Sequence, residues 1–172
     1  MDGGNENNEI NLKKDFITRE NIVDLFKKHN VPQVINLLSV DIDFNDFYVL
    51  HEILKNYTCD IIICEYNATH LAHEDKIVKY DPNGRWDDTN YFGVSLLSLQ
   101  CLGKLYNYSL VYCNGNGVNC YLIRDDLIKN KNLEFQTDIN IIYRPARYGN
   151  GPNGGHTQDR LNREYICSSD FI

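Results

Sequence analysis

At 172 residues, with 42% apolar and 24% charged side chains, the chain has the make-up of one ordinary globular domain. A chain of this size buries roughly 70% of its unfolded surface, enough for a core without disulfide or metal staples. The net charge of −7 and the lack of any basic run remove the counterion-release drive behind nucleic-acid binding, so no nucleic-acid partner is expected.

Residues 1–14 are polar and read as a disordered tail. A helix is expected from Thr18, an N-cap candidate with Glu20 in the first turn, to about His29; Pro32 stops it. Val34–Val40 is a short, β-branched apolar run that suits a strand buried on both faces of a parallel sheet. It ends in Asp41-Ile-Asp-Phe-Asn-Asp46, and Phe47, Val49, Leu50, Ile53 and Leu54 then mark a helical face. Cys59–Cys64 is a second such strand, ending in Glu65-Tyr66-Asn67, so that strand, helix and strand form a βαβ unit. Residues 68–88 form a long polar loop. Asp88 or Thr89 is expected to cap a helix running to about Leu105. Tyr108–Cys113 and Val118–Arg124 flank Asn114-Gly-Asn-Gly117, a hairpin turn signal. A short helix after Asp125 and an apolar stretch at Ile139–Tyr143 complete the domain at 15–143. Residues 144–172 are a Gly/Arg-rich C-terminal extension, in which Arg144, Arg147, Arg160 and Arg163 read as a solvated tail or an anion grip.

The six cysteines, Cys59, Cys64, Cys101, Cys113, Cys120 and Cys167, make no C-x-x-C pair, which points to reduced thiols rather than a disulfide frame or zinc site. The N-terminus lacks the signal-peptide pattern and no apolar run approaches a membrane span. Cytoplasmic localisation without a membrane partner is the expectation.

In open α/β sheets ligands sit beyond the C-terminal ends of the strands. Asp41 and Asp43 end one strand; Glu65 and Asn67 end the next, within reach of one another across adjacent strands. These carboxylates could act as general base, or hold a hard cation such as Mg²⁺ that orients a substrate hydroxyl. The other reading has Asp41 and Asp43 capping the next helix and Glu65 pairing with an arginine. His70, His73 and Glu74 have the wrong spacing for a zinc helix. His70 in a substrate loop, Tyr66 beside Glu65, and Trp86 stacking on a ring are the candidate substrate contacts.

The segments Leu37–Phe47, Ile63–Asn67, Lys79–Pro82, Trp86, Tyr91–Leu96, Gly117–Asn119 and Tyr143–Pro145 resemble, in order, those of the FkbM-like, class I S-adenosylmethionine-dependent methyltransferases. Phe44 departs from them, standing where that family has Gly. The resemblance spans residues 17–160 and covers only the C-terminal half of the family's domain. It implies a partial Rossmann-like α/β sheet, built of the βαβ unit, a helix and a terminal antiparallel hairpin, that lacks the N-terminal strands and their cofactor loop. It implies an O-methyltransferase fragment using S-adenosylmethionine, with Asp41, Asp43, Glu65 and Asn67 as catalytic residues. A non-catalytic accessory or assembly module is the alternative. The Val34–Val40 strand would then be an exposed edge, paired by a chain that supplies the missing strands or by a second copy in a homodimer.

Overall fold

The structure is a computed structural model that describes residues 4–151 and 154–171. Residues 1–3 of the expected tail, and 152, 153 and 172 of the extension, lie outside the described residues. In chain order the elements are α1 (Ile22–Lys28), β1 (Val34–Val40), α2 (Asp46–Asn56), β2 (Thr58–Glu65), β3 (Ile77–Val78), α3 (Leu96–Leu105), β4 (Tyr108–Cys113), β5 (Asn119–Arg124), α4 (Asp125–Asn130), α5 (Ile139–Ile142) and β6 (Tyr165–Ile166). Three-residue 3-10 turns stand at Asn8–Ile10 and Ser168–Asp170. The fold is α/β, with a mixed four-stranded sheet in the order β1-β2-β5-β4 and a two-stranded antiparallel sheet of β3 and β6.

β1 and β2 are parallel with Val40 opposite Cys64, so both strands end at the same edge. The hairpin strand β5 inserts antiparallel between β2 and β4, setting Asn119 opposite Glu65 and Cys120 opposite Cys113. Its turn is held by Asn114, whose Oδ1 accepts from the N–H of Val118 and of Asn119 at 2.9 and 3.2 Å. Gly117 has φ +69°, and a Cβ there would fall 2.4 Å from the Pro145 carbonyl oxygen. A side chain at this position is barred by both strain and space.

The main core lies on one face of the sheet. Phe47, Leu50, Ile53 and Leu54 of α2 and Leu96, Leu99 and Leu102 of α3 join Leu38, Val40, Ile62, Cys64, Cys120 and Leu122 of the sheet in a single buried cluster. The opposite face is less well covered. Leu37 is 57% exposed there, and Ile61 and Tyr112 are exposed as well; Val34, on the core face at the open start of the strand, is 52% exposed. The expectation that β1 is buried on both faces is therefore corrected: β1 is an edge strand with a one-sided burial pattern, because the helices that contribute to the core pack against the other side.

Two further expectations change. The third helix begins at Leu96, capped by the Ser95 side chain, and not at Asp88 or Thr89. Gly93 at φ +57° and the bridge between Val94 and Ile77 hold 93–94 in non-helical backbone. The C-terminal extension is no solvated tail. It pairs β6 with β3, and Phe171 packs edge-on against Phe47, Tyr48 and His51 at 5.1–5.6 Å. All six cysteines are free, and four are buried.

The base of the sheet is locked by Tyr108. Its hydroxyl donates to the Cys59 carbonyl at 2.7 Å and accepts from the Cys59 N–H at 2.8 Å, both buried. Removing that oxygen orphans one donor and one acceptor, each costing about 1–3 kcal/mol when left unpaired. Tyr108→Phe is expected to lose about 2 kcal/mol in urea unfolding with an unchanged slope; a midpoint equal to that of the parent would show the pair to be replaceable by water.

Candidate functional site: an acidic cage at the strand ends

The common C-terminal edge of β1 and β2 gathers carboxylates. Asp41, Asp43 and Glu65 each present an oxygen to the same point, all within 4.8 Å of one another. Asp41 and Asp43 are exposed and Glu65 is half-buried. Asp43 occupies the left-handed region at φ 65°. Asp tolerates this better than most residues, since its short side chain bonds locally. The turn thus puts its positive φ one residue before Phe44, where the resemblance places glycine. Phe44 instead turns into a small cluster with Val78 and Tyr91. A Cβ on Gly84 would meet its ring at 2.4 Å, so Gly84 is the space that Phe44 fills.

Asp46, the first residue of α2, lies near the group and feels the charges of Asp41 and Asp43. It is fully buried; its Oδ1 accepts from the Ile42 N–H at 2.9 Å, and its Oδ2 has no partner. Neither capping nor an arginine neutralises these acids. α2 is preceded by Asn45 without a side-chain cap bond. Among the described residues no Lys, Arg or His forms an ion pair with Asp41, Asp43, Asp46 or Glu65. Burial, and then the field of neighbouring acids, pushes Glu65 up to about 9; burial likewise takes Asp46 to about 7, and raises Asp41 with Asp43 adding to the effect.

Beside the cage opens a cleft of about 510 Å³, lined by Asp41, Asp43, Asn45, Phe16, Arg85 and Trp86 among others. Trp86 thus shares the wall of the cleft with Asp41 and Asp43. Its indole N–H donates to the Thr89 carbonyl at 2.8 Å, and its ring lies 4.5 Å from that of His156. The Arg85 guanidinium sits over the Phe16 ring at 4.8 Å.

The remaining candidates lie away from the cleft. Asn67 is fully buried, donating to the carbonyls of Asn90 and Phe92 and accepting from Thr69, so its amide is spent on the long loop. Tyr66 is fully buried, with its hydroxyl on the Arg144 carbonyl at 2.6 Å. His70 is buried against the Tyr165 ring at 4.8 Å, and burial lowers it to about 4. None of the three lines the cleft. Two of the C-terminal arginines are also occupied: Arg144 donates to the carbonyls of Ile141, Ile142 and Tyr143, and Arg163 pairs with Asp87 and Asp159.

Sequence reasoning missed two residues of the cage surroundings. Asn119 lies opposite Glu65 in the β2–β5 ladder with an unpartnered Oδ1. Tyr148 has a buried, unpartnered hydroxyl that feels the Glu65 charge. The hairpin signal could have delivered Asn119 through its register; nothing local points to Tyr148.

A carboxyl group raised by folding holds its proton more tightly in the folded chain. Its stability contribution is complete below the unfolded value and is lost as pH rises through the folded one. For Glu65 that window runs from 4.5 to about 9, and for Asp46 from 3.8 to about 7. In chelator, the urea midpoint is expected to fall between about pH 5 and pH 9. Glu65→Gln should shrink the fall and nearly flatten it above about pH 7; parallel profiles for parent and variant would remove Glu65 from the account.

No family model, curated protein or solved structure matches the chain.

Proposed function

We propose that the chain is the acceptor-side half of an O-methyltransferase-type domain, with a partial Rossmann-like sheet. In this reading the acidic cage and its cleft bind and orient a hydroxyl-bearing substrate. The observation that carries it is the convergence of Asp41, Asp43 and Glu65 at the C-terminal edge of a parallel strand pair, beside a cleft walled by Trp86. Supporting it are the βαβ unit followed by a reversed hairpin that inserts next to β2, and the thinly covered sheet face on which missing helices would pack. Asp41 and Asp43 would accept hydrogen bonds from substrate hydroxyls, and Glu65, raised by burial and neighbouring acids, would donate one while it holds its proton and the site is free of metal. Trp86 offers its ring face to a sugar or similar ring.

The residues present do not fit S-adenosylmethionine. Among the described residues no glycine-rich turn joins a strand to a helix: Gly115 and Gly117 belong to the β4–β5 hairpin, and Gly149–Gly155 to a loop after α5. The donor would have to be gripped by strands outside the described residues, paired along β1. The exposed Val34 and Leu37 on that edge also favour a second reading, a non-catalytic assembly module that docks a partner or a second copy through β1.

Saturation-transfer NMR and calorimetry on the purified chain test the proposal. S-adenosylmethionine is expected to bind no more tightly than about 1 mM. Simple saccharides and polyols are expected to receive saturation, and to lose it in Trp86→Ala. A micromolar constant for S-adenosylmethionine, about −8 kcal/mol, would overturn the half-domain reading. Silence from every polyol would overturn the acceptor role and leave the assembly reading.

A further inference from the structure

Six buried side-chain polar atoms lack any partner among the described residues: Asn45 Oδ1, Asp46 Oδ2, Glu65 Oε2, Asn119 Oδ1, His70 Nε2 and Tyr148 Oη. The first four are oxygens that accept only (Asp46 and Glu65 while ionised), and they belong to the strand-end region: Asn45 precedes and Asp46 starts α2, Glu65 ends β2, and Asn119 faces Glu65 across the ladder. Buried acceptors without donors are rare and costly, so a concentration of them marks the place of something absent from the polypeptide. It must supply positive charge. Three carboxyl groups, Asp41, Asp43 and Glu65, converge there, Asp46 lies close enough to feel their charges, and none of the four has a basic partner among the described residues. The N-terminus of α2 offers only about half a positive charge against them.

We propose that the oxygens gathered where β1 and β2 end form a cage for one divalent cation of calcium's size, with Asp41, Asp43 and Glu65 as direct ligands and Asp46 closing the buried side. The chemistry of the donor set is uniformly hard oxygen, which suits calcium or magnesium and not zinc or copper. Ligand number separates the first two. Three carboxylates offering oxygens to one point suit calcium, which takes about six to eight oxygens in flexible geometry. Magnesium keeps several of its waters and is usually held by one or two carboxylates in a near-ideal octahedron. Mg²⁺, the ion expected from the sequence, is the competitor against which calcium is tested. The inference goes beyond the acceptor role, since the cage holds the ion with or without a substrate in the cleft.

The test uses the whole chain, freed of metal with chelator and dialysed, and titrates Ca²⁺ and Mg²⁺ by calorimetry and by amide NMR. Ca²⁺ should bind once per chain with a dissociation constant of roughly 0.1–1 mM, and Mg²⁺ at least about tenfold more weakly. Amide shifts should centre on 41–46, 65 and 119. Asp43→Asn should weaken Ca²⁺ about tenfold or more. Asn suits the positive φ at 43 as well as Asp does, so this variant keeps the turn. Asp126→Asn, at the opposite end of β5, should leave binding unchanged. No heat and no shifts up to about 10 mM Ca²⁺ would overturn the cage. Binding unaltered in Asp43→Asn would do the same by placing the ion elsewhere, and tighter Mg²⁺ would overturn the size assignment. Because these titrations contain neither polyol nor S-adenosylmethionine, their failure leaves the acceptor role standing, and failure of that role leaves the cage standing.

Discussion

Like-charge repulsion at the end of a parallel strand pair is the constraint on which this structure turns. Parallel pairing of β1 with β2 brings both chain exits to one edge, and both exits are acidic. Two unit charges about 5 Å apart cost roughly 3 kcal/mol at an effective dielectric of about 20. Several such pairs would consume much of the 5–15 kcal/mol that holds a typical domain together. The cost is relieved only by protons or by a cation, and the arrangement persists because the core beneath it is continuous. Cys64 and Val40, one residue before Glu65 and Asp41, are buried in the same cluster as α2 and α3. Packing holds the acids together against their own field.

The sheet is lopsided in a way that bears on this. α2 and α3 supply the core on one side, while Leu37, Ile61 and Tyr112 remain exposed. A strand with unpaired backbone on one flank and apolar side chains on one face is unfinished by the ordinary rules of sheet construction. The acidic site lies at the end of that same strand. Whatever covers β1 would stand next to Asp41 and Asp43, so the site and the open edge belong to one surface.

Much of the fold was legible because it is written in local runs. The apolar stretch at Val34–Val40 and the Asn-Gly steps at 114–117 fix a strand and a hairpin with little help from the rest of the chain. The acidic cluster followed from strand-end logic alone. What could not be read was set by distant partners. The one-sided burial of β1 depends on which face the helices take. The start of α3 depends on Val94 bridging Ile77. The work of Asn67, Tyr66 and His70 depends on carbonyls and rings 23 to 95 residues away. Polar residues directly after a strand look alike in sequence, whether they face a cleft or tie a loop. Only the loop's path distinguishes Glu65, which has an unpartnered oxygen, from Asn67, whose amide is fully used.

The C-terminal segment gives the molecule a clasp. Ser168 donates to the Asp75 carboxylate through both its N–H and its hydroxyl, β6 pairs with β3, and Arg163 reaches Asp87. Each of these contacts ends on the long loop between β2 and α3, the loop that carries Trp86 into the cleft. The last thirty or so residues thus act as a latch across the wall of the cleft. A chain cut after α5 would keep its four-stranded sheet and its acids but lose the hold on that wall. Proteolysis or a tag near Cys167 would therefore reach the site from the far end of the sequence.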